Sequence, residues 1–206
     1  FVIFIIASQI HIKKIIMNKN IDKIKIFVGF SSKDKKIKQD FEKHLNFKPS
    51  SSGNNIIWHD FGTLNHVDKN HSHNHNNLNP HKNIEELSSS HVILFLVSPN
   101  FICLENFDKY VNLALKARKT QEARVIPIIL DFCNWKLTAL KDLEPLPKNG
   151  VPVTNRKWTN KNQAFYKIAD TIDKIIEEIK KIRKQKQKTI EKNKKKKFQY
   201  KGIVQD

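Results

Sequence analysis

Apolar residues along the chain follow two periods, one typical of strands and one typical of helices. Runs of strand length, rich in β-branched and aromatic residues, occur at 24–30, 56–58, 92–97 and 125–130, and 151–153 is interpreted as a fifth strand near a sheet edge. Apolar residues recur at helical spacing in 37–45, 84–87, 107–115 and 165–179. Strands that alternate with helices predict an α/β fold, a doubly wound parallel sheet with helices on both faces.

Three details refine this prediction. The run 92–97 is continuously apolar, as expected for a central strand that is covered on both faces. Pro127 lies inside the fourth strand, which predicts an edge or bulged position because proline donates no hydrogen bond. Ser31 and Asp34 precede the first helical segment, and we expect the Asp34 side chain to cap back onto Ser31.

Ligands of parallel α/β sheets bind outside the carboxyl ends of the strands. The chemistry is therefore expected in four segments, 30–34, 58–64, 98–107 and 131–135. The five glycines form neither a dinucleotide fingerprint nor a phosphate loop, which excludes those modes of nucleotide binding. The sequence contains no nucleophile elbow, and neither cysteine has a neighbouring histidine in sequence.

The positive charge is concentrated at the carboxyl end. The 206 residues carry a formal net charge of +18, and twelve lysines and arginines oppose the single Glu191 between Lys180 and Lys201. The preceding part is only mildly basic, so its charge does not indicate its function. The tail is predicted to be a basic helix, and two interpretations stay open: a solvated extension, or a site for nucleic-acid phosphates or anionic lipid headgroups.

Residues 1–22 are interpreted as a leader outside the folded domain. Their apolar run, 1–7, is far shorter than the roughly 20 residues that cross a bilayer, and no basic region precedes it as in a signal peptide. Met17 offers a start for the native protein, in which case the residues before it are not native. The alternative is the end of a truncated membrane helix, with Lys13 and Lys14 as its cytoplasmic stop signal.

Two further features bear on metals and on the compartment. Residues 69–83 are almost entirely Asn and His, a low-complexity insert predicted to form a solvated loop. Its alternating histidines could take zinc or nickel, but no carboxylate or thiolate completes a site, and we expect no metal. Cys103 and Cys133 give neither a disulfide framework nor a zinc spacing, which indicates a reducing cytoplasmic compartment.

The strand ends form an ordered series of motifs. The first apolar strand ends in Gly29-Phe30-Ser31-Ser32-Lys33-Asp34. The second strand is accompanied by Trp58, Asp60 and Leu64, and the third ends in Ser98-Pro99-Asn100-Phe101. The carboxyl half adds Arg124 to Leu130, Cys133, Trp135, Leu146-Pro147, Gly150, Pro152-Val153 and Trp158. This series resembles the Toll/interleukin-1 receptor homology (TIR) domain family, and bacterial-type members in particular. Gly29 and Phe30 replace the Ser-Tyr pair that is usual there.

The resemblance implies a division of the chain and a function. Residues 23–180 would be a TIR domain with a flavodoxin-like, five-stranded parallel sheet, and 181–206 would be the basic helical tail. TIR domains act in intracellular, innate-immune-like signal transduction by assembling with other TIR domains, homotypic or heterotypic. The resemblance thus implies a cytoplasmic signalling protein whose partners are TIR domains.

Many TIR domains also hydrolyse NAD, and the resemblance locates the residues concerned. Counting back from Ala114-Leu115 puts Tyr110 where the family has its catalytic glutamate. Tyrosine is neutral near pH 7 and cannot supply an anion that stabilises an oxocarbenium-like transition state, which favours helix packing for Tyr110 and a domain without catalysis or cofactor. The alternative is an NAD hydrolase that uses Glu105 or Asp108 as substitute. By resemblance alone, the NAD pocket would contain Phe30, Ser31, Trp58 and Asp60.

Overall fold

Four parallel strands form the centre of the computed structural model, which describes residues 23–46, 55–61 and 80–202. The strands are β1 (Lys25–Phe30), β2 (Asn55–Asp60), β3 (Val92–Val97) and β4 (Arg124–Ile129), in the spatial order β2-β1-β3-β4. The helices are α1 (Lys35–Asn46), α2 (Pro80–Ser88), α3 (Pro99–Ile102), α4 (Phe107–Gln121) and α5 (Lys161–Gly202). The protein is therefore of the mixed α/β class, with a small parallel sheet.

The sheet is buried where the sequence predicts. Every residue of β3 is buried, which confirms the prediction of a central strand. Phe27 of β1 and the alternate residues Ile93, Phe95 and Val97 of β3 belong to a core cluster that includes the apolar face of α4. Phe41 of α1 and Phe165 of α5 are in ring contact at 5.5 Å between centroids, and both are fully buried.

Strand β4 ends the sheet on one side, so the edge position that Pro127 predicts is confirmed. A loop covers part of this edge. The Leu146 N–H donates to the Pro127 carbonyl at 2.8 Å, and the Ile129 N–H donates to the Leu146 carbonyl at 2.7 Å. These bonds occupy backbone groups of an edge strand that would otherwise be open to another chain.

The predicted fifth strand at 151–153 is not a strand in the described part of the chain, where the sheet has four. The segment still bonds to the end of β4, because the Val153 N–H donates to the Ile129 carbonyl at 3.0 Å and the Thr154 N–H to the Leu130 carbonyl at 3.1 Å. Pro152 has no N–H to give, and a turn begins directly after it. A ladder of strand length therefore cannot form here.

The structure describes only the last part of the predicted Asn/His-rich insert. Helix α2 confirms the short helix predicted around residues 84–87, but it begins at Pro80, so the last four residues of the predicted insert are helical rather than loop. Proline suits the first turn of a helix, where its missing N–H has no intrahelical partner. The leader at 1–22 and the insert residues 69–79 lie outside the described residues.

Helix α5 is continuous over 42 residues and includes the predicted amphipathic helix and the predicted helical tail as far as Gly202, and residues 203–206 lie outside the described part of the chain. The residues Ile24–Asp173 form a compact unit, and the helix from Lys174 onward belongs to a second unit. Among the described residues, no helix combines the length and the apolar character needed to cross a membrane.

Candidate functional site

A buried carboxylate joins the ends of β1 and β3. After β1, Ser31 is extended and a 3-10 turn at Ser32–Asp34 brings the Asp34 side chain inward, where the residue is 8% exposed. Its two oxygens accept from the Ser98 hydroxyl at 2.5 Å and from the Asn100 amide at 2.8 Å. The predicted cap onto Ser31 is therefore wrong for the side chain. Asp34 instead accepts hydrogen bonds from the segment after β3, because β1 and β3 are parallel neighbours and the Ser98 hydroxyl and the Asn100 amide follow the carboxyl end of β3.

Ser98 has a second task at the same position. It is the N-cap of α3, and its hydroxyl oxygen accepts from the Phe101 N–H at 3.0 Å while its own proton is donated to Asp34. Pro99 follows in the first turn of α3. The Ser-Pro-Asn sequence thus fixes both the start of a helix and the orientation of a neighbouring carboxylate.

The end of β4 carries a separate polar group. Asp131 accepts from the Thr154 hydroxyl at 2.6 Å and from the Phe132 N–H at 2.8 Å. Cys133 lies close by, and burial raises the pKa of its thiol; the Trp135 backbone N–H opposes this shift, while the charges of Asp131 and Asp34 add to it. A thiol with a raised pKa stays protonated at neutral pH and is a poor nucleophile. Both cysteines are free.

Tyr110, which the resemblance puts at the position of the catalytic glutamate, is a core residue. It is 1% exposed, and its ring stacks on that of Phe61 with 3.9 Å between centroids and an interplanar angle of 6°. Phe61 also contacts Phe101 at 5.7 Å and Phe27 at 6.0 Å. Burial raises the pKa of the Tyr110 phenol above its ordinary value, so the residue is neutral at physiological pH. The helix-packing interpretation of Tyr110 is confirmed.

The two acids named as substitutes lie elsewhere. Asp108 is in the first turn of α4 and Glu105 precedes the helix, whose N-cap is Asn106. Both are exposed, whereas Tyr110 is buried. Neither acid therefore shares the environment of the Tyr110 ring.

The residues assigned to an NAD pocket by resemblance divide into two groups. Phe30 and Ser31 are buried, with 8% and 1% exposure, and the Lys38 ammonium lies 5.4 Å from the centre of the Phe30 ring. Trp58 and Asp60 are on β2, opposite Val28 and Phe30 respectively. Phe30 and Asp60 thus end neighbouring strands at the same sheet edge. The side chains of Trp58 and Asp60, and Leu64 beyond them, lie outside the described residues.

The sequence analysis names Gly29 only as a motif residue, and it does not identify Phe61, which packs against it. A Cβ atom at Gly29 would lie 2.6 Å from Cε2 of Phe61 and 3.0 Å from Cδ1 of Phe95, so only glycine fits there without displacement. Phe61 follows β2 and fills this space. A glycine within a strand indicates close approach of another group, and that rule would have pointed to Gly29. Nothing in the sequence identifies which ring approaches.

The described residues contain no group of three or more His, Cys, Asp or Glu side chains that could hold a metal ion. The histidines of the insert, His71, His73 and His75, lie outside this part of the chain.

Comparison with known proteins gives a distant relationship. No protein-family model matches the chain. The chain is similar to the uncharacterized protein y4lF of Sinorhizobium fredii (strain NBRC 101917 / NGR234), with 28% identity over 150 residues. The similarity covers 71% of this chain and 42% of that protein, so the chain spans less than half the length of this relative.

Proposed function

We propose that this protein is a TIR-domain signalling protein that acts by assembly with other TIR domains and has no catalytic activity. The proposed lack of catalysis is supported by the buried stack of Tyr110 on Phe61, because the family resemblance puts the catalytic glutamate at the position of Tyr110. We further propose a cytoplasmic location, with which the two free thiols agree.

The strand order supports the fold that the family resemblance implies. The observed order β2-β1-β3-β4 coincides with the first four positions of the flavodoxin-like order 2-1-3-4-5. We propose that 151–153, bonded to the end of β4, occupies the place of a shortened fifth strand. The domain would then be a flavodoxin-like sheet with one degenerate edge.

Contacts between the resembling segments also support the proposal. The Asp34 carboxylate belongs to the first segment, and its two donors, Ser98 and Asn100, belong to the third. Residues that lie more than sixty positions apart thus act as one unit at the ligand-binding edge of the sheet. The hydrogen bonds between them give a structural reason for the presence of both the Ser/Lys/Asp stretch and the Ser-Pro-Asn stretch in one sequence.

The position of Tyr110 carries no negative charge, which catalysis of NAD hydrolysis requires. Cleavage of the nicotinamide–ribose bond develops positive charge on the ribose, and a carboxylate beside it supplies the stabilising anion. A neutral phenol packed in an aromatic cluster supplies none, and the ring of Phe61 occupies the space above Gly29. NAD hydrolysis by Glu105 or Asp108 is the alternative, since both carboxylates are exposed next to the start of α4.

Nicotinamide release from NAD distinguishes the two functions. We expect the full chain, at high protein concentration to favour assembly, to release no more nicotinamide than buffer does. The Glu105→Ala/Asp108→Ala double variant should give the same background. Release that is clear for the natural chain and lost in this variant would overturn the proposal in favour of the hydrolase. Tyr110→Glu is not a suitable gain-of-function control, because its carboxylate would be buried among aromatic rings at a cost of several kcal/mol, on the order of 3 or more.

A further inference from the structure

The carboxyl-terminal part of α5, which belongs to the second unit, has a very high density of positive charge. Twelve lysines and arginines oppose one acid, Glu191, over residues 180–202, a net charge of +11. At a rise of about 1.5 Å per residue this stretch is roughly 34 Å long, which gives one net positive charge per about 3 Å. One strand of a nucleic acid carries a phosphate about every 3.4 Å, a closely similar density.

Four of these residues form a continuous stripe. Lys181, Lys184, Lys188 and Lys192 are spaced by three, four and four residues, which puts them within about 80° of one another around the helix axis. All four are exposed. Like charges at i,i+4 repel and destabilise a helix, so an anion bound along this basic stripe would relieve the repulsion. Lys180 lies beside the stripe, but its ammonium is 3.1 Å from the Glu177 carboxylate.

The helix does not have the form of one that inserts into a membrane surface. Such helices carry a continuous apolar face opposite their charged face. Here Ile182 and Ile190 lie on the side away from the basic stripe, yet the exposed Lys186 stands between them. Ile190 itself is 54% exposed. Over the part of the helix whose side chains are described, up to residue 193, the charge is therefore not accompanied by an apolar surface that a bilayer would bury.

We propose that the basic stripe Lys181, Lys184, Lys188 and Lys192 binds the phosphate backbone of a nucleic-acid duplex. Lysine ammonium groups act as point charges, and phosphate contacts carry no sequence information, so binding is independent of sequence. The stripe itself, residues 181–192, contains no aromatic residue on which an unpaired base could stack, whereas Phe198 and Tyr200 lie beyond its last lysine. This favours a duplex over a single strand. The proposal does not depend on the TIR assignment.

The test is the salt dependence of duplex binding by the full chain. Fluorescence anisotropy with a labelled mixed-sequence DNA duplex gives the affinity over a salt series from about 50 to about 300 mM. The stripe variant replaces all four lysines with glutamine, which keeps helix propensity. We expect at least an about ten-fold loss of affinity at the lowest salt, and a salt slope smaller by about 3 to 4. Circular dichroism checks that the helix is retained.

A matched variant controls for net charge. Lys116, Lys119, Lys141 and Lys148 are exposed lysines outside α5, and their replacement by glutamine lowers the charge by the same four units. We expect this control to keep the affinity and the salt slope of the natural chain. Equal losses in both variants, or no duplex binding by the natural chain, would overturn the proposal. Binding to phosphatidylserine vesicles but not to the duplex would also overturn it, in favour of a membrane surface.

Discussion

At the scale of single residues, the position that decides the enzyme question is filled by packing. Tyr110 and Phe61 stack face to face, and Gly29 leaves room for the Phe61 ring near the carboxyl end of β1. The sequence shows Tyr110 at helical spacing with other apolar residues, so its burial was predictable. A close approach at Gly29 was also predictable, but the ring that approaches was not, because Phe61 comes from a different strand end and no short-range pattern connects the two.

The close approach at Gly29 gives a stability prediction. Gly29→Ala places a Cβ atom within 2.6 Å of the Phe61 ring, which is held by Tyr110 and is itself 2% exposed. We expect the free energy of unfolding to fall by about 1–3 kcal/mol, as for other overpacked cores, measured by urea denaturation. In a Phe61→Leu background the same change should cost clearly less, because the ring is gone. An equal cost in both backgrounds would show that steric contact with Phe61 is not the cause.

At the scale of elements, sequence periodicity predicted most of the fold. The four observed strands, the short α2 helix and the edge position of β4 all follow from local composition, because apolar period and proline act within a few residues. The fifth strand was predicted from a three-residue run, which is too short to distinguish a strand from an extended loop. The capping prediction for Asp34 failed for a related reason: its donors, Ser98 and Asn100, lie on another strand end, and only the parallel pairing of β1 with β3 brings them near.

The link between these two strand ends can be tested by removing its charge. Asp34→Asn replaces one acceptor oxygen with an amide group that must face a donor, either the Ser98 hydroxyl or the Asn100 amide. We expect a loss of about 1–3 kcal/mol in the free energy of unfolding, because a buried donor is left without an acceptor. Asp131→Asn is the control, since it changes the same group at the same sheet edge but at a more exposed site.

The control should cost clearly less than Asp34→Asn when both variants are unfolded thermally under the same conditions. A Ser98→Ala change in the Asp34→Asn background should then cost less than it does alone, since the Ser98 hydroxyl no longer donates to a charged acceptor in either orientation of the amide. Additive losses would argue against a coupled hydrogen-bond network at this edge.

At the scale of the whole molecule, two surface features distinguish the proposed roles of the two units. The basic stripe belongs to the helix after Lys174, whereas the proposed TIR domain exposes large apolar side chains on the loop after β4. Phe132 is 63% exposed and Leu137 is 85% exposed, although Trp135 between them is buried and the Thr138 hydroxyl is bonded to the Trp135 carbonyl at 2.7 Å. A loop that is fixed from within and apolar outside is suited to bind another protein surface.

If the domain assembles with further copies of itself, this loop should contribute to the contact. We expect Phe132→Ser/Leu137→Ser to lower the apparent association, measured by sedimentation equilibrium, by roughly ten-fold or more, because two large apolar side chains no longer leave water on binding. Ile190→Ser, which removes an exposed apolar side chain of the helical unit, is the control and should leave association unchanged. The measurement is made at high salt, where charge repulsion between the basic helices is screened. If both variants associate as strongly as the natural chain, this loop is excluded from the contact. If the natural chain stays monomeric at every concentration, self-assembly is excluded, and other TIR domains are left as the partners to be tested.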